Sequence, residues 1–510
     1  MFAYSTYRCL LLTSVSSIAI FAAACSIAPK SLEPGEIAAK ADNQQERIVA
    51  NQEPVGGPIS LYEAMARALK YNLDHRVEAM EASVRMKELD LAHFALLPNA
   101  VASSGYAARN NFNAASSQNV ITGQQSLASS TSQERQIVTA DVTFSWNVLD
   151  FGLSYIRARQ AADKYLIAEE MRRKVVHRLL EDVRTAYWRA ISGERLIARL
   201  NLLERRVRAA QSKSRSISDD RQTSPITAVT YERELVEIKR TIQELQRELA
   251  VAKTQLASLM NLKPGTKFTM IAGRRAGGLQ IRMPVQTMIT TALENRAELR
   301  DVWYRQRINE KEYDAALLEI LPGLIPYAGT NYDSNDFLFN HNWLTWGAKV
   351  SWNLIKVFQY PTKREMIDAQ GRLLDQRGLA VTMAVITQVH VSRVRFHHFS
   401  QELATADEYL SVQKRLIGLM RQEERAGRIS EQTLIREELN TLVAEAKRDI
   451  AYSSLQNAFA NVYASLGLDA HGGDLDLRQD VRQLAARLGQ VWLERGDFAA
   501  GPWVTKVATQ

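Results

Sequence analysis

The chain has few of the residues that build cross-linked or loop-rich proteins. Its 510 residues include two cysteines, Cys9 and Cys25, so the body has no disulfide framework and no cysteine metal cluster. Glycine (24) and proline (12) are scarce, which excludes collagen-like and low-complexity architectures. With 46% hydrophobic and 24% charged residues, the composition is not that of a polytopic helical membrane protein.

Charge and motifs argue against nucleic-acid binding and catalysis. The 64 basic and 56 acidic residues give a net charge of +8 without any basic block, which predicts a solvated mixed-charge surface and no nucleic-acid partner. We find no nucleophile elbow, P-loop or dinucleotide fingerprint. His390, His397 and His398 lack the glutamate-bearing zinc spacing. The sequence therefore predicts no enzyme, no cofactor and no metal site.

The N-terminus has the layout of a bacterial secretory signal over residues 1–25. Arg8 precedes an apolar run, and the small residues 22–24 stand directly before Cys25. This end resembles a lipobox, although Ala22 stands where leucine is usual, and the resemblance implies that the Cys25 thiol is acylated. The alternative is an ordinary cleavage site with an incidental cysteine. Residues 26–58 are polar, proline-containing and without a period, which predicts an extended linker.

The body contains two copies of one unit. Residues 61–98 align without a gap on residues 285–322, at an offset of 224. Further on, Ser-Trp-Asn at 145–147 recurs at 351–353, at an offset of 206. Conserved order at separated anchors indicates an internal repeat. We therefore divide the chain into a signal peptide, a linker, repeat 1, repeat 2 and a tail: 1–25, 26–58, 59–283, 284–469 and 470–510.

Each copy is predicted to begin with a single helix that ends at a proline, followed by two strands. The helices are predicted at 60–97 and 284–320. The second strand of each copy alternates apolar and polar residues with a period of two, which is typical of a strand with one apolar and one polar face. A polar loop is predicted at 112–134. The four predicted strands are 100–111, 137–149, 324–333 and 343–354.

A very long amphipathic helix and a return helix complete each copy. The stretch from Ser154 to Ile217 has one glycine, Gly193, and no proline. In the second copy we expect Pro361 near the helix start, where proline is tolerated. A helix of about 60 residues is roughly 90 Å long, which is longer than the core of a globular domain requires. The predicted long and return helices are 154–217 with 227–262, and 362–426 with 431–466.

The four strands are too few to close a sheet. Strands of about 11 residues suit a tilted bilayer crossing, and lipid forbids open sheet edges. Because about eight strands are the practical minimum for a barrel, the chain must oligomerise. Three copies would give about twelve strands, with the helices continuing as a tube. The predicted fold class is thus an α+β membrane protein, mostly long helices plus a shared β-barrel.

This plan resembles the TolC family of bacterial outer-membrane factors. The resemblance covers about residues 59–469 and includes Ser-Trp-Asn-Val-Leu-Asp-Phe-Gly at 145–152, although Ile355–Phe358 lacks the corresponding glycine. It implies a homotrimer with a 12-stranded β-barrel in the outer membrane and an α-barrel in the periplasm, lipid-anchored on the periplasmic side. It also implies a periplasmic adaptor protein and an inner-membrane pump or ABC transporter, in efflux or type I secretion. The alternative is a periplasmic coiled-coil adaptor or tether without a pore.

The resemblance assigns candidate roles to residues at the helix tips and in the strands. Acidic residues near the tip constrict the closed pore in well-known family members, whereas Thr433 and Arg436 stand at those places here. Plain interhelical turns are the alternative for each tip residue, and ligand stacking is the alternative to a membrane position for the tryptophans. The candidates for the pore tip or adaptor contact are Asp219, Asp220, Gly427, Thr433, Arg436 and Glu437, and those for membrane-strand aromatics are Trp146, Trp346 and Trp352.

Overall fold

We describe the chain from a computed structural model. The chain forms two units, Met1–Glu53 and Pro54–Gln510, and each is described by itself. Cys25 and the rest of the predicted signal peptide lie outside the described residues, as does Asp220. The described ranges are 30–126, 128–219, 225–263, 265–271, 279–281, 283–469, 471–473 and 476–496.

The first unit contains a helix where we expected an extended linker. Helix α1 spans Pro34–Ile48, with the proline in the first turn, where its missing N–H costs nothing. The Glu36 carboxylate accepts a hydrogen bond from the backbone N–H of Glu33 at 3.2 Å. None of its residues is buried. The prediction of an extended conformation is wrong over Pro34–Ile48, because a fully exposed helix needs no apolar period, only helix-forming residues and a cap.

The opening helix of each copy is broken once, in contrast to the single helices expected. The first break is at Asn72 and the second is at Arg296, both with extended ψ. The Asn72 side chain caps the following helix by accepting from the N–H of His75 at 3.2 Å. The Arg296 guanidinium donates to the Ala464 carbonyl at 3.2 Å. The four helices are α2 (Leu61–Tyr71), α3 (Leu73–Phe94), α6 (Val285–Asn295) and α7 (Ala297–Leu318).

Four antiparallel strands form one sheet in the order β1-β4-β5-β6. Their positions confirm the predicted strands to within a few residues. The predicted polar loop differs, because two-residue strands β2 (Ala114–Ala115) and β3 (Ser130–Thr131) pair within it. The strands of the main sheet are β1 (Asn99–Ala108), β4 (Gln136–Ser145), β5 (Gly323–Asp333) and β6 (Asn342–Ser351).

The long helices start earlier than predicted, directly after the sheet. Helices α4 (Val148–Asp219) and α8 (Leu354–Arg425) have 72 residues each, which is roughly 110 Å. The return helices α5 (Pro225–Leu259) and α9 (Glu431–Ser465) have 35 residues each. Pro361 therefore lies inside α8 and does not begin it. The helix begins earlier because the Asn353 side chain caps it, accepting from the N–H of Ile355 at 3.2 Å.

The helices pack side by side as a layer. Next to the sheet the order of neighbours is α3-α4-α7-α8, and in the half that leads to the tips it is α5-α4-α9-α8. The two long helices thus run through both halves. No helix in the described ranges combines the length and the apolar character needed to cross a lipid bilayer.

The main core lies at mid-length, where the short helix α2 and the tail meet the layer. Helix α10 (Val481–Glu494) belongs to the tail and packs on α2, with Leu484, Leu488 and Trp492 buried. The Tyr187 hydroxyl of α4 lies 2.8 Å from the Ile271 carbonyl oxygen. Burial raises the pKa of this hydroxyl, so it stays protonated and donates. The tail is therefore part of the core of the second unit.

Candidate functional site

The main sheet has one apolar face, exposed along its length. The strand register places Phe144, Ala328 and Trp346 side by side across β4, β5 and β6. Val142, Thr330 and Leu344 form the next row. Trp346 is 84% exposed and Leu344 is 78% exposed. So large an exposed apolar patch marks a surface that meets lipid or another protein.

The opposite face of the sheet is polar. Asn331 donates to the Thr345 hydroxyl across β5 and β6 at 3.0 Å. In β4, the Thr143 hydroxyl donates to the Asp141 carboxylate at 3.2 Å. Lys349 continues this face in β6, opposite Ile325. The alternation predicted from the sequence is therefore present as two chemically different faces.

Both edges of the sheet lack a second neighbour. Within the described part of the chain, β1 pairs with β4 alone and β6 pairs with β5 alone. Each edge strand is ten residues long. An edge of that length presents a row of backbone groups ready to pair with another strand.

The repeated Ser-Trp-Asn motif marks the change from strand to long helix. The side chains of Asn147 and Asn353 cap the first turns, with Asn147 accepting from the N–H of Leu149 at 3.1 Å. Trp352 donates from its indole to the Ile320 carbonyl at 2.9 Å. Trp146 packs edge-on against Phe151, with ring centroids 5.4 Å apart. All three predicted strand tryptophans are exposed; two of them stand at this transition.

At the far end, α8 turns into α9 through a short, capped connection. Gly427 has a φ of +70°, the left-handed region that favours glycine, so it ends α8 sharply. Arg428 pairs with Glu423 at 3.1 Å. The Ser430 hydroxyl caps α9 by accepting from the N–H of Thr433 at 3.2 Å. Thr433 therefore lies in the first turn of α9.

Among the predicted tip residues that the structure describes, Arg436 and Glu437 lie next to each other on α9. Glu437 accepts from the Gln413 amide of α8 at 2.9 Å, and Arg436 lies 4.0 Å from that carboxylate. Asp219 ends α4, and Asp220 is not described. A hydrogen bond of 3.0 Å joins Gln432 to Glu234 of α5.

Sequence reasoning missed a series of carboxylates on α9 that is held by α4. Glu438, Glu445 and Asp449 are spaced by seven and four residues and face arginines at the same spacing. The arginines of α4 and the carboxylates of α9 have matching spacings of four and seven residues, but the two sets lie far apart in the sequence, so no local pattern links them. The pairs are Arg206–Glu438, Arg199–Glu445 and Arg195–Asp449.

Basic side chains of α8 also contact two of these carboxylates. Arg421 of α8 lies 3.3 Å from Glu438, and Lys414 of α8 lies 3.7 Å from Glu445. The three carboxylates are mostly buried. Their pairs join α4 to α9 from the first turns of α9 to its middle, and the pairs of Glu438 and Glu445 include α8. The described residues include no group of three or more His, Cys, Asp or Glu placed to hold a metal ion.

A second charged cluster lies where α9 ends. Burial alone would raise the pKa of Asp469, but the His177 ring, at 3.5 Å, and the Arg173 guanidinium, at 3.0 Å, hold the pKa of this carboxyl well below its usual range. The Arg173 guanidinium also donates to the Gly467 carbonyl at 3.2 Å. The cluster fastens the end of α9 to α4.

Known structures share this architecture. The outer-membrane channel OprN superimposes with a TM-score of 0.61 at 13% identity, covering 80% of this chain and 89% of that chain. The CmeC outer-membrane channel of Campylobacter jejuni gives 0.62 at 11% identity, covering 91% and 97%. The chain has the fold of a TolC-type outer-membrane channel. The open state of the Neisseria gonorrhoeae MtrE channel gives 0.58 at 13% identity, covering 87% and 98%.

The shared fold extends over 89–98% of the length of these channels. No protein-family model and no curated protein sequence matches the chain. The TolC-type resemblance expected from the sequence is confirmed at the level of fold.

Proposed function

We propose that three copies of the chain form an export duct through the bacterial outer membrane. The observation that carries this proposal is the four-stranded sheet, which exposes an apolar face and whose two edges have no partner strand among the described residues. Lipid requires that every strand edge be paired, so the sheets of several copies must join. Three sheets of four strands make a closed barrel of about twelve, wide enough to be hollow.

The helices would continue the duct as a tube in the periplasm. Helices α4 and α8 begin 206 residues apart and have equal length, and so do α5 and α9, which supports an internal duplication. Duplicated halves in three copies would give the tube a regular wall. The polar face of the sheet would line the barrel and the apolar face would meet lipid.

The proposed duct is passive and performs no chemistry. Energy would come from an inner-membrane pump or ABC transporter, reached through a periplasmic adaptor protein that docks near the tips, in efflux or type I secretion. Acylation of Cys25 would anchor each copy to the outer membrane from the periplasmic side. Adaptors would meet the surface around Gly427, Thr433, Arg436 and Glu437, where the turn is exposed.

The alternative is a coiled-coil adaptor or tether without a pore. A tether would explain the long helices but not the sheet, because a tether does not require an exposed apolar face opposite a polar one. A single-channel current through the purified protein would distinguish the duct from the tether.

The test is single-channel recording in planar bilayers, combined with cysteine accessibility. Thr345→Cys places a thiol on the polar face, and Leu344→Cys, one residue earlier, places it on the apolar face. We expect a charged methanethiosulfonate reagent to reduce the current of Thr345→Cys and to leave Leu344→Cys and the unaltered chain unchanged. Folded protein without current, or equal block of both variants, would overturn the proposal.

A further inference from the structure

We propose that neighbouring copies meet along an apolar seam between α3 of one copy and α8 of the next, in place of the ion pairs that join the two halves inside the chain. The proposal rests on the proposed function and names the surface by which the duct assembles. It follows from comparing two junctions that the duplication makes equivalent.

The junction inside the chain, between α4 and α7, is ionic. Arg307 reaches Asp163 with an N–O distance of 3.0 Å, and Asp163 is 5% exposed. The carboxamide of Gln160 adds a hydrogen bond of 2.9 Å to Glu312. Four ion pairs cross this junction: Arg307–Asp163, Arg157–Glu312, Arg300–Glu170 and Lys174–Glu298.

The counterparts of these residues lie on the two outer edges of the layer. Residues of α3 match α7 at an offset of 224, and residues of α8 match α4 at an offset of 206. Ser83 thus replaces Arg307 and Ala369 replaces Asp163. Gln376 takes the place of Glu170, the carboxylate that Arg300 contacts. Ala380 likewise stands where Lys174 is, so three of the four ion pairs have no counterpart at the edges.

Exposed apolar side chains occupy these edges instead. On α3 they recur at spacings of four, seven and three, and on α8 at seven, ten and eleven, which keeps them on one side of each helix. Met366 and Leu373 also border an open groove shared with Lys164 of α4 and Asn309 of α7. The side chains and their exposures are Met80 68%, Val84 55%, Leu91 70% and Phe94 69% on α3, and Met366 56%, Leu373 66%, Met383 64% and Val394 54% on α8.

The occupant of both faces is a second copy of this chain. The two faces lie at opposite edges of one layer, so each copy offers both halves of a head-to-tail contact that closes into a ring. The junction of α4 with α7 shows that helices of these two kinds pack side by side. Among the residues that correspond to these inner ion pairs, only Lys363 and Glu88 keep opposite charges. Lys363 already pairs with Glu319 inside the chain, at 2.8 Å.

The first test is chemical cross-linking between copies. In the full chain carrying Ser83→Cys and Ala369→Cys, we expect a short bifunctional methanethiosulfonate to convert most of the protein into covalent trimers. The matched control is Glu81→Cys with Ala369→Cys, because residue 81 lies two positions along α3 on another side of the helix. Equal cross-linking of both variants, or of neither, would overturn the seam.

The second test rebuilds, at the contact between copies, the ion pair that Arg307 and Asp163 form inside the chain. Ala369→Asp alone would place an unpaired carboxylate in an apolar seam, and we expect the trimer fraction in detergent to fall at least about tenfold. Adding Ser83→Arg recreates the arrangement of Arg307 with Asp163 and should restore most of the trimer. Wild-type assembly of the single variant, or failure of the second change to rescue it, would contradict the proposal.

The proposed apolar contact between copies and the proposed export duct can be disproved separately. Conducting trimers that give no cross-link between residues 83 and 369 would overturn the seam and leave the duct standing. Cross-linked rings without current would support the seam and overturn the duct. Trimers that dissociate when salt is raised to about 1 M would also contradict an apolar seam, because salt screens ion pairs and strengthens apolar contacts.

Discussion

Gly193 of helix α4 lies directly against the backbone of Leu249 in helix α5. A Cβ added at Gly193 would stand 2.9 Å from the Leu249 carbonyl oxygen. The two helices therefore approach here more closely than any side chain at residue 193 would allow. This contact explains why the single glycine of the predicted helix 154–217 interrupts an otherwise continuous helix-forming stretch.

Gly193→Ala should weaken the contact between α4 and α5. Alanine favours helix by about 1 kcal/mol over glycine, but overpacking against backbone costs about 1–3 kcal/mol, so we expect net destabilisation. Gly418→Ala in α8 is the matched control, since nothing lies within 4 Å of a Cβ there, and it should be neutral or stabilising. Thermal unfolding followed by circular dichroism measures both; a stabilised Gly193→Ala would contradict the close packing.

Glu438→Gln should loosen the tip. Its carboxylate is held by Arg206 of α4 and Arg421 of α8, and losing both pairs costs about 1–3 kcal/mol. Trypsin cleavage at Arg428, in the tip turn, should therefore accelerate about tenfold as local opening becomes easier. Glu424→Gln is the control, one turn from the connection; equal cleavage rates for both variants would argue against the ion-pair tie.

Trp346→Arg should impair membrane insertion far more than Thr345→Arg. Residue 346 lies mid-strand on the apolar face, where an arginine facing lipid costs about 2–4 kcal/mol. Residue 345 faces the polar side, where an arginine stays solvated. The amount of assembled protein extracted from outer membranes measures the difference, and equal yields would mean that this face does not meet lipid.

Asp469→Asn should destabilise the protein near neutral pH and not in strong acid. The pKa of Asp469 in the folded chain lies below the unfolded value of about 3.9, so its pairing stabilises the fold above pH 4 and is lost as pH falls through the folded pKa. We expect a loss of about 1.5–3 kcal/mol at pH 7. A difference between variant and wild type that stays constant down to pH 2 would contradict the pairing with Arg173 and His177.

Alternation and repeats made the fold predictable from the sequence. The period of two in residues 138–148 and 344–354 reflects two faces in different surroundings, and the strands lie where that period indicates. The offset of 206 reappears in the starts of the long helices. The breaks at Asn72 and Arg296 were not predictable, because nothing in composition interrupts the helical pattern. Both side chains donate tertiary hydrogen bonds, Asn72 to the Leu259 carbonyl and Arg296 to the Ala464 carbonyl.

The candidate site was predictable only where local chemistry decides it. Gly427 was expected at the turn because a helix end needs a residue with positive φ. The carboxylates of α9 were missed because their partners lie about 230–250 residues away in the chain, beyond any local pattern.

The number of chains in one particle tests the central claim most directly. Native mass spectrometry of the full chain, extracted from outer membranes in mild detergent, measures it without any variant. Three copies per particle are predicted, because three open sheets of four strands close one barrel. A particle that holds a single chain would leave the sheet edges open and would contradict the account.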